Sequence, residues 1–261
     1  GEMTELINIA AMAFVGLIVG SFMNVVVYRL PIMIEHRHSE TWNIAWPPSH
    51  CPHCQHRLSV RNTIPLFSWL WQRGRCQACA QPISWRYPLT ELACSCVFAL
   101  SAAFVSSISD AIAIMTLFWF IFALAQIDLR TYLLPDVLTQ PLLWLGLLYH
   151  SVYDREMLPD ALYGAVAGYL TLWLVWWGCK ILAGKEGIGL GDAKLLAAMG
   201  AWCGWPALPP ILLAASLLGI VWWLILRLTR RTSIPLIAFG PWLGLAGWLI
   251  FSAQSSGVIG Y

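Results

Sequence analysis

The chain has 261 residues, of which 59% are hydrophobic and 11% charged, against roughly 25% charged in ordinary soluble domains. This excludes a soluble globular protein, and sixteen tryptophans fit the aromatic belts of a membrane–water interface. The net charge of +2 decides little; where the charges sit decides a great deal, and no nucleic-acid partner is expected.

The first apolar run, 6–28, is long enough to span a bilayer. No basic residue precedes it and it exceeds a signal-peptide core, so it reads as a retained helix. Residues 31–87 then form the one sizeable soluble segment. It carries two CxxC knuckles, Cys51/Cys54 and Cys76/Cys79, with 21 residues between them. Such a pair suits a four-thiolate zinc site, since each knuckle turns two sulfurs toward one tetrahedral ion. Disulfides compete with that reading, but a reducing cytoplasm disfavours them. His53 and His56 stand beside the first knuckle as substitute ligands or as solvent-facing turn residues. The segment is poor in apolar residues, so bound metal would supply much of its folding energy. No HExxH occurs, which argues against a catalytic zinc.

Further apolar runs lie near 88–107, 111–127, 137–152, 161–183, 193–203, 207–226 and 234–253. A single helix from Asp192 to Leu226 would be about 50 Å long, too long for a hydrocarbon core of roughly 30 Å. Gly204, Pro206 and Pro209-Pro210 mark the break. The expected fold is therefore all-α and polytopic, with about eight transmembrane helices and a cytoplasmic zinc-binding domain between helices 1 and 2. Its domains are 1–30, a first transmembrane helix; 31–87, the zinc-binding domain; and 88–261, a membrane bundle. With both termini outside, every Lys and Arg except Arg155 falls on one side, as the positive-inside rule requires. Seven spans would put Arg227, Arg230 and Arg231 on the wrong side. Cys94, Cys96, Cys179 and Cys203 read as small buried apolar residues.

Two acids stand at the ends of apolar runs on that same side. Asp128 closes one run, and Asp192 sits in the glycine-rich GIGLGDAK at 187–194. An ionisable group at a span is costly, and by default it marks function. Two at one depth suggest paired carboxylates, against the alternative of two solvated helix-end acids. The glycines resemble a phosphate loop only loosely; close backbone approach or an open channel suits them better. Lys194 either biases Asp192 toward ionisation or snorkels to the interface. Asp136 reads as the cap of span 4. Glu91 reads either as a helix-start acid or as an interior-facing one.

The chain resembles the type IV prepilin peptidases, also called leader peptidase/N-methyltransferases, almost end to end. The resemblance is carried by GSFMNVVVYRLP (20–31), both knuckles, NTIPLFSWL (62–70), RGRC (73–76) and ISWRYPLTEL (83–92). It continues through IDLRTYLLPDVLTQPLLW (127–144), GLGDAKLLAAMGAWCGW (189–205) and FGPWL (239–243). It implies a membrane aspartic endopeptidase of the GxGD class, with Asp128 and Asp192 as the catalytic acids. It further implies removal of a basic leader from prepilins or type II secretion pseudopilins at the cytoplasmic face of the bacterial inner membrane. Methylation of the new N-terminus from S-adenosylmethionine follows in many members. The cysteines matching Cys51, Cys54, Cys76 and Cys79 form the family's metal-binding set. Besides membrane lipids, the implied partners are these substrates, whose basic leader would be held by lipid phosphates or by acids such as Glu35 and Glu40. The resemblance names no residues for S-adenosylmethionine. Two rival readings are a transporter or channel using the two aspartates as an ion relay, and a scaffold whose zinc ribbon docks a partner.

Overall fold

The structure, a computed structural model, describes residues 1–35, 43–184, 187–230 and 236–259. Glu40 and Arg231 lie outside the described residues. Those described are helical, with no strands beyond two isolated bridges. The helices are α1 (Glu2–Glu35), α2 (Phe67–Trp71), α3 (Arg86–Phe104), α4 (Ile108–Thr131) and α5 (Asp136–Tyr153). They continue with α6 (Leu158–Ala183), α7 (Leu190–Cys203), α8 (Leu208–Arg230) and α9 (Gly240–Ser255). Every apolar run overlaps one of them. Five stretches, in α1, α3, α4, α6 and α8, are long and apolar enough to cross a membrane, so the chain is a multi-pass membrane protein. With 14 residues, α7 measures roughly 21 Å, shorter than the hydrocarbon core. The α7–α8 break falls at Gly204, whose φ of +85° suits glycine.

The chain forms two compact units, 1–115 and 116–261, with the boundary inside α4. In the first, α1 packs along α3 through small residues. A Cβ at Gly16 would stand 2.7 Å from the Cys94 carbonyl oxygen, and one at Gly20 2.9 Å from the Glu91 Cα. Lipid tails are as apolar as leucine and drive helices together weakly, so such close backbone approach supplies the van der Waals contact instead. Ser95 Oγ donates to the Ala13 carbonyl at 2.9 Å, and Asn24 Nδ2 to that of Tyr87 at 3.1 Å. Arg29, only 5% exposed, donates from Nη1 and Nη2 to the carbonyls of Asn43 and Pro47 at 3.1 and 2.6 Å. A buried guanidinium thus ties the soluble segment to the end of α1. Glu35 closes α1 in an exposed position.

In the second unit α7 is the central helix. From Leu195 to Cys203 all its residues are buried, packed against α5, α6, α8 and α9. A helix apolar on all sides suits such a place. Gly164 of α6 and Gly200 of α7 meet backbone to backbone, and a Cβ at Gly168 would stand 2.7 Å from the Leu196 carbonyl oxygen. The last carbonyls of α7, which no helical N–H can reach, find side chains instead. His150 Nε2 donates to Trp202 O at 2.8 Å, and Gln254 Nε2 to Cys203 O at 3.1 Å. Trp202 Nε1 in turn donates to Leu142 O at 2.8 Å. Cys94 and Cys203 are buried as expected, but Cys96 is exposed on α3 and Cys179 half-buried.

A methyl group at Gly200 collides with fixed backbone, whereas one at Gly178 meets nothing within 4 Å. Gly200→Ala should therefore destabilise the bundle by about 1–3 kcal/mol. Gly178→Ala, which only improves helix propensity, should be neutral or mildly stabilising. Thermal unfolding of both variants in detergent checks the contrast.

Candidate functional site

Asp128 and Asp192 line one cavity of about 680 Å³ in the second unit, a size that admits a short peptide segment. Asp128 occupies the last turn of α4 and is 5% exposed. Its Oδ2 accepts the Gly240 N–H at 3.0 Å. Gly240 opens α9 in the FGPWL stretch, and a Cβ there would stand 2.6 Å from that same Oδ2. Only glycine lets backbone come this close. Directly after α4, Tyr132 donates its N–H to the Asp128 carbonyl at 2.9 Å and takes a φ of 55°. That left-handed conformation is uncommon for a bulky residue and ends the helix sharply. Tyr132 also lines the cavity.

Asp192 stands in the first turn of α7, its N–H on the Gly189 carbonyl at 3.1 Å. It shares the wall of that cavity with Asp128. Gly187 and Gly189 line the cavity beside it. Gly191 lies against Leu134, whose Cβ would be 3.0 Å from an added methyl. Leu134 reaches the Gly240 position too, so one side chain wedges between the two glycines that flank the acids. These glycines serve close approach and an open wall; none of the four takes a positive φ. Ser216, Gly219, Ile220 and Trp223 of α8 and the segment 236–239 complete the lining.

Two expectations change here. Asp136 makes no capping hydrogen bond; Pro135 holds the cap position of α5. The Asp136 carboxylate instead pairs with Lys194 Nζ at 2.8 and 3.0 Å. Lys194 thus has its own carboxylate partner, 58 residues away in sequence. The pair is solvent-facing, and such pairs contribute about 0–1 kcal/mol.

In the first unit the four knuckle sulfurs lie within 4.8 Å of one another. Cys51 and Cys79 sulfurs are 3.8 Å apart, and those of Cys54 and Cys76 3.9 Å. Tetrahedral Zn–S bonds of about 2.3 Å put sulfurs about 3.8 Å apart, so the cluster fits zinc. The two knuckles repeat one hydrogen-bond pattern. Cys51 N–H donates to His56 O and Gln55 N–H to Cys51 O; Cys76 N–H donates to Gln81 O and Ala80 N–H to Cys76 O, all at 2.9 Å. The residue after each second cysteine, Gln55 or Ala80, has a φ of 59°. His53 and His56 are exposed and stand outside the sulfur cluster.

Between 43 and 85 only Cys51, Gly74 and Cys76 are buried, so this segment has no apolar core of its own. The N–H groups of Cys79 and Ala78 lower the Cys76 thiol to about 6. The Gln81 N–H acts in the same sense on Cys79, yet burial and the neighbouring thiols push that group up to about 12.

Glu91 proves to be the interior-facing acid, 8% exposed. Its Oε2 accepts the Leu66 N–H at 2.7 Å, and Asn24 Nδ2 approaches Oε1 at 3.5 Å. It lines a second cavity of about 210 Å³, enclosed by α1, α3 and the soluble segment.

Residues 14–105 match the bacterial Peptidase A24 N-terminal domain, and 115–224 the type IV leader peptidase family. A prepilin leader peptidase/N-methyltransferase of Dickeya chrysanthemi is 46% identical over 253 residues, 91% of this chain and 89% of that protein. One of Pectobacterium carotovorum subsp. carotovorum is 48% identical, covering 91% and 90%. One of Aeromonas hydrophila is 46% identical over 251 residues, covering 89% and 86%. The chain belongs to the type IV leader peptidase family. No solved structure matches it.

Sequence reading passed over several residues that this family member places at its sites. Tyr132 and Gly240 lay inside stretches quoted for resemblance, with no signal of their own beyond the glycine itself. Ser216 and Trp223 carried none. Arg29 had a signal in being a cation at the end of an apolar run.

Purified protein should carry about one zinc per chain by elemental analysis, and Cys51→Ser or Cys79→Ser should lower that content and expose 43–85 to protease. Zinc affinity should fall as pH is lowered, because protons compete for the thiolates. Full occupancy in a variant lacking all four cysteines would rule the site out.

Proposed function

We propose that the chain is a membrane aspartic endopeptidase that removes the basic leader from type IV prepilins or type II secretion pseudopilins and methylates the new N-terminus. The observation that carries the peptidase reading is the convergence of Asp128 and Asp192 on one cavity. The names of the relatives support both activities.

Two close carboxylates cannot both ionise cheaply, so they share a proton. The ionised partner takes a proton from water as the water attacks the scissile carbonyl. Its protonated neighbour hydrogen-bonds the carbonyl oxygen and stabilises the negative charge that develops there. Collapse of the tetrahedral species breaks the C–N bond, and the amine leaves with a proton from the pair. No covalent intermediate forms, and the pair titrates as a unit rather than as separate residues. The Gly240 N–H on Asp128 Oδ2 fixes that carboxylate's orientation.

In this reading the eight helices other than α2 are eight crossings, with both termini outside and the two aspartates facing the cytoplasm of a bacterial inner membrane. The short α7 is tolerated because protein, not lipid, surrounds it. The domains are the first span (1–30), the cytoplasmic segment (31–87) and the peptidase bundle (88–261). Cys51, Cys54, Cys76 and Cys79 hold a structural zinc, and the methyl donor is S-adenosylmethionine. When bound, that donor supplies a sulfonium methyl group, which an amine takes with release of S-adenosylhomocysteine and a proton.

Asp128→Asn and Asp192→Asn keep shape but remove the base, so each should abolish leader cleavage at matched membrane levels. The double variant should be little worse than either. Gly240→Ala should cut cleavage as well, by displacing the Asp128 carboxylate. The assay is incubation with a prepilin followed by N-terminal sequencing of the product. Cleavage at the wild-type rate by either aspartate variant would sink the pairing.

A separate check addresses topology. A reporter fused after Tyr261 should be active only in a form that works outside the cytoplasm. A signal from a cytoplasm-only reporter would break the eight-crossing arrangement.

A further inference from the structure

Neither Asp128 nor Asp192 lines the cavity in the first unit, yet its lining is chemically specific. It is largely apolar, it holds the buried carboxylate of Glu91, and aromatic rings come from Trp69 and Tyr87. At about 210 Å³ it has room for a small organic molecule rather than for one or two waters. Pro52 and Thr63 line it and are also exposed, so it has a mouth to solvent.

Glu91 is the telling residue. A carboxylate offers about four acceptor positions. Ser21, Asn24 and the Leu66 N–H together take up to three of them. Among the described residues no cation pairs with it. Arg29 shares the lining but turns Nη1 and Nη2 to the carbonyls of Asn43 and Pro47. A buried charge without an opposite charge is expensive, and a ligand that brings one relieves that cost. Aromatic faces beside a carboxylate suit an organic cation that also carries a flat ring, the first through cation–π attraction and the second by stacking. A methyl donor with a sulfonium centre and an adenine ring has both features.

We propose that this cavity is the S-adenosylmethionine site, with Glu91 facing the donor's positive charge and Trp69 and Tyr87 forming its aromatic walls. The proposal rests on the methyltransferase reading given above. It also gives the metal cluster a purpose beyond cohesion, because Cys51 and Cys76 line the same cavity and the knuckles shape its wall.

The test is equilibrium dialysis of the purified full chain against labelled S-adenosylmethionine and against S-adenosylhomocysteine, which has the same ring but lacks the sulfonium charge. Glu91→Gln should weaken the charged ligand about tenfold or more, as loss of a buried charge-assisted contact does. It should leave the neutral one nearly unchanged. Thr63→Trp, a change at the exposed mouth, should weaken both and lower methylation of a cleaved pilin. If Glu91→Gln fails to fold, Thr63→Trp decides alone. Wild-type affinity in both variants, or an equal loss of the two ligands in Glu91→Gln with none in Thr63→Trp, would overturn the assignment. Wild-type protein that binds neither ligand and methylates no cleaved pilin would remove the methyltransferase reading along with it.

Discussion

Close approach of backbones is the constraint on which the peptidase bundle depends. A helix enclosed by other helices inside a membrane gains little from leaving lipid, so its position is set by shape. Gly164 and Gly200 let α6 and α7 touch main chain to main chain. The same device places the acids: Gly191 and Gly240 make room for Leu134, and Gly240 makes room for the Asp128 oxygen. His150 and Gln254 take the carbonyls at the other end of α7. Asp192 therefore rides on a helix fixed along its sides and at its far end. The catalytic role proposed for Asp192 requires such rigid support to hold its geometry.

The two units achieve order by different physics. In the second, a run of buried residues from Leu195 to Cys203 gives a dense interior. In the soluble part of the first, sulfur ligands stand where apolar side chains would be, and a buried arginine replaces packing at the junction with α1. A pocket walled by such a segment takes its shape from coordination and hydrogen bonds. The cavity lined by Asp128 and Asp192 takes its own from helices.

What the sequence made legible was local. Apolar runs marked the helices, and Gly204 with the prolines after it marked the α7–α8 break. The CxxC pairs announced their ligands, because both sulfurs of a knuckle lie within four residues. Charge sidedness and resemblance paired Asp128 with Asp192, and the two line one cavity. What escaped was long-range. Lys194 sits two residues from Asp192 in the chain, yet its partner is Asp136, 58 residues away. Asp136 looked like a cap because caps are read from neighbours alone. Nothing near Gly164 names Gly200, and the role of Glu91 depends on Leu66, Asn24 and a cavity formed only on folding.

The coreless segment between 43 and 85 ties this protein to its surroundings through mass action. With zinc bound as proposed, the segment's stability grows as RT ln(1 + [Zn]/Kd), so each tenfold fall in free metal above the dissociation constant removes about 1.4 kcal/mol. Among the described residues, the unit holding Asp128 and Asp192 has no such cluster of metal-binding side chains. On the site assignments proposed above, metal scarcity would then act on one half of the chain, leaving pilins trimmed but unmethylated. The ratio of the two products would report the metal supply of the cell.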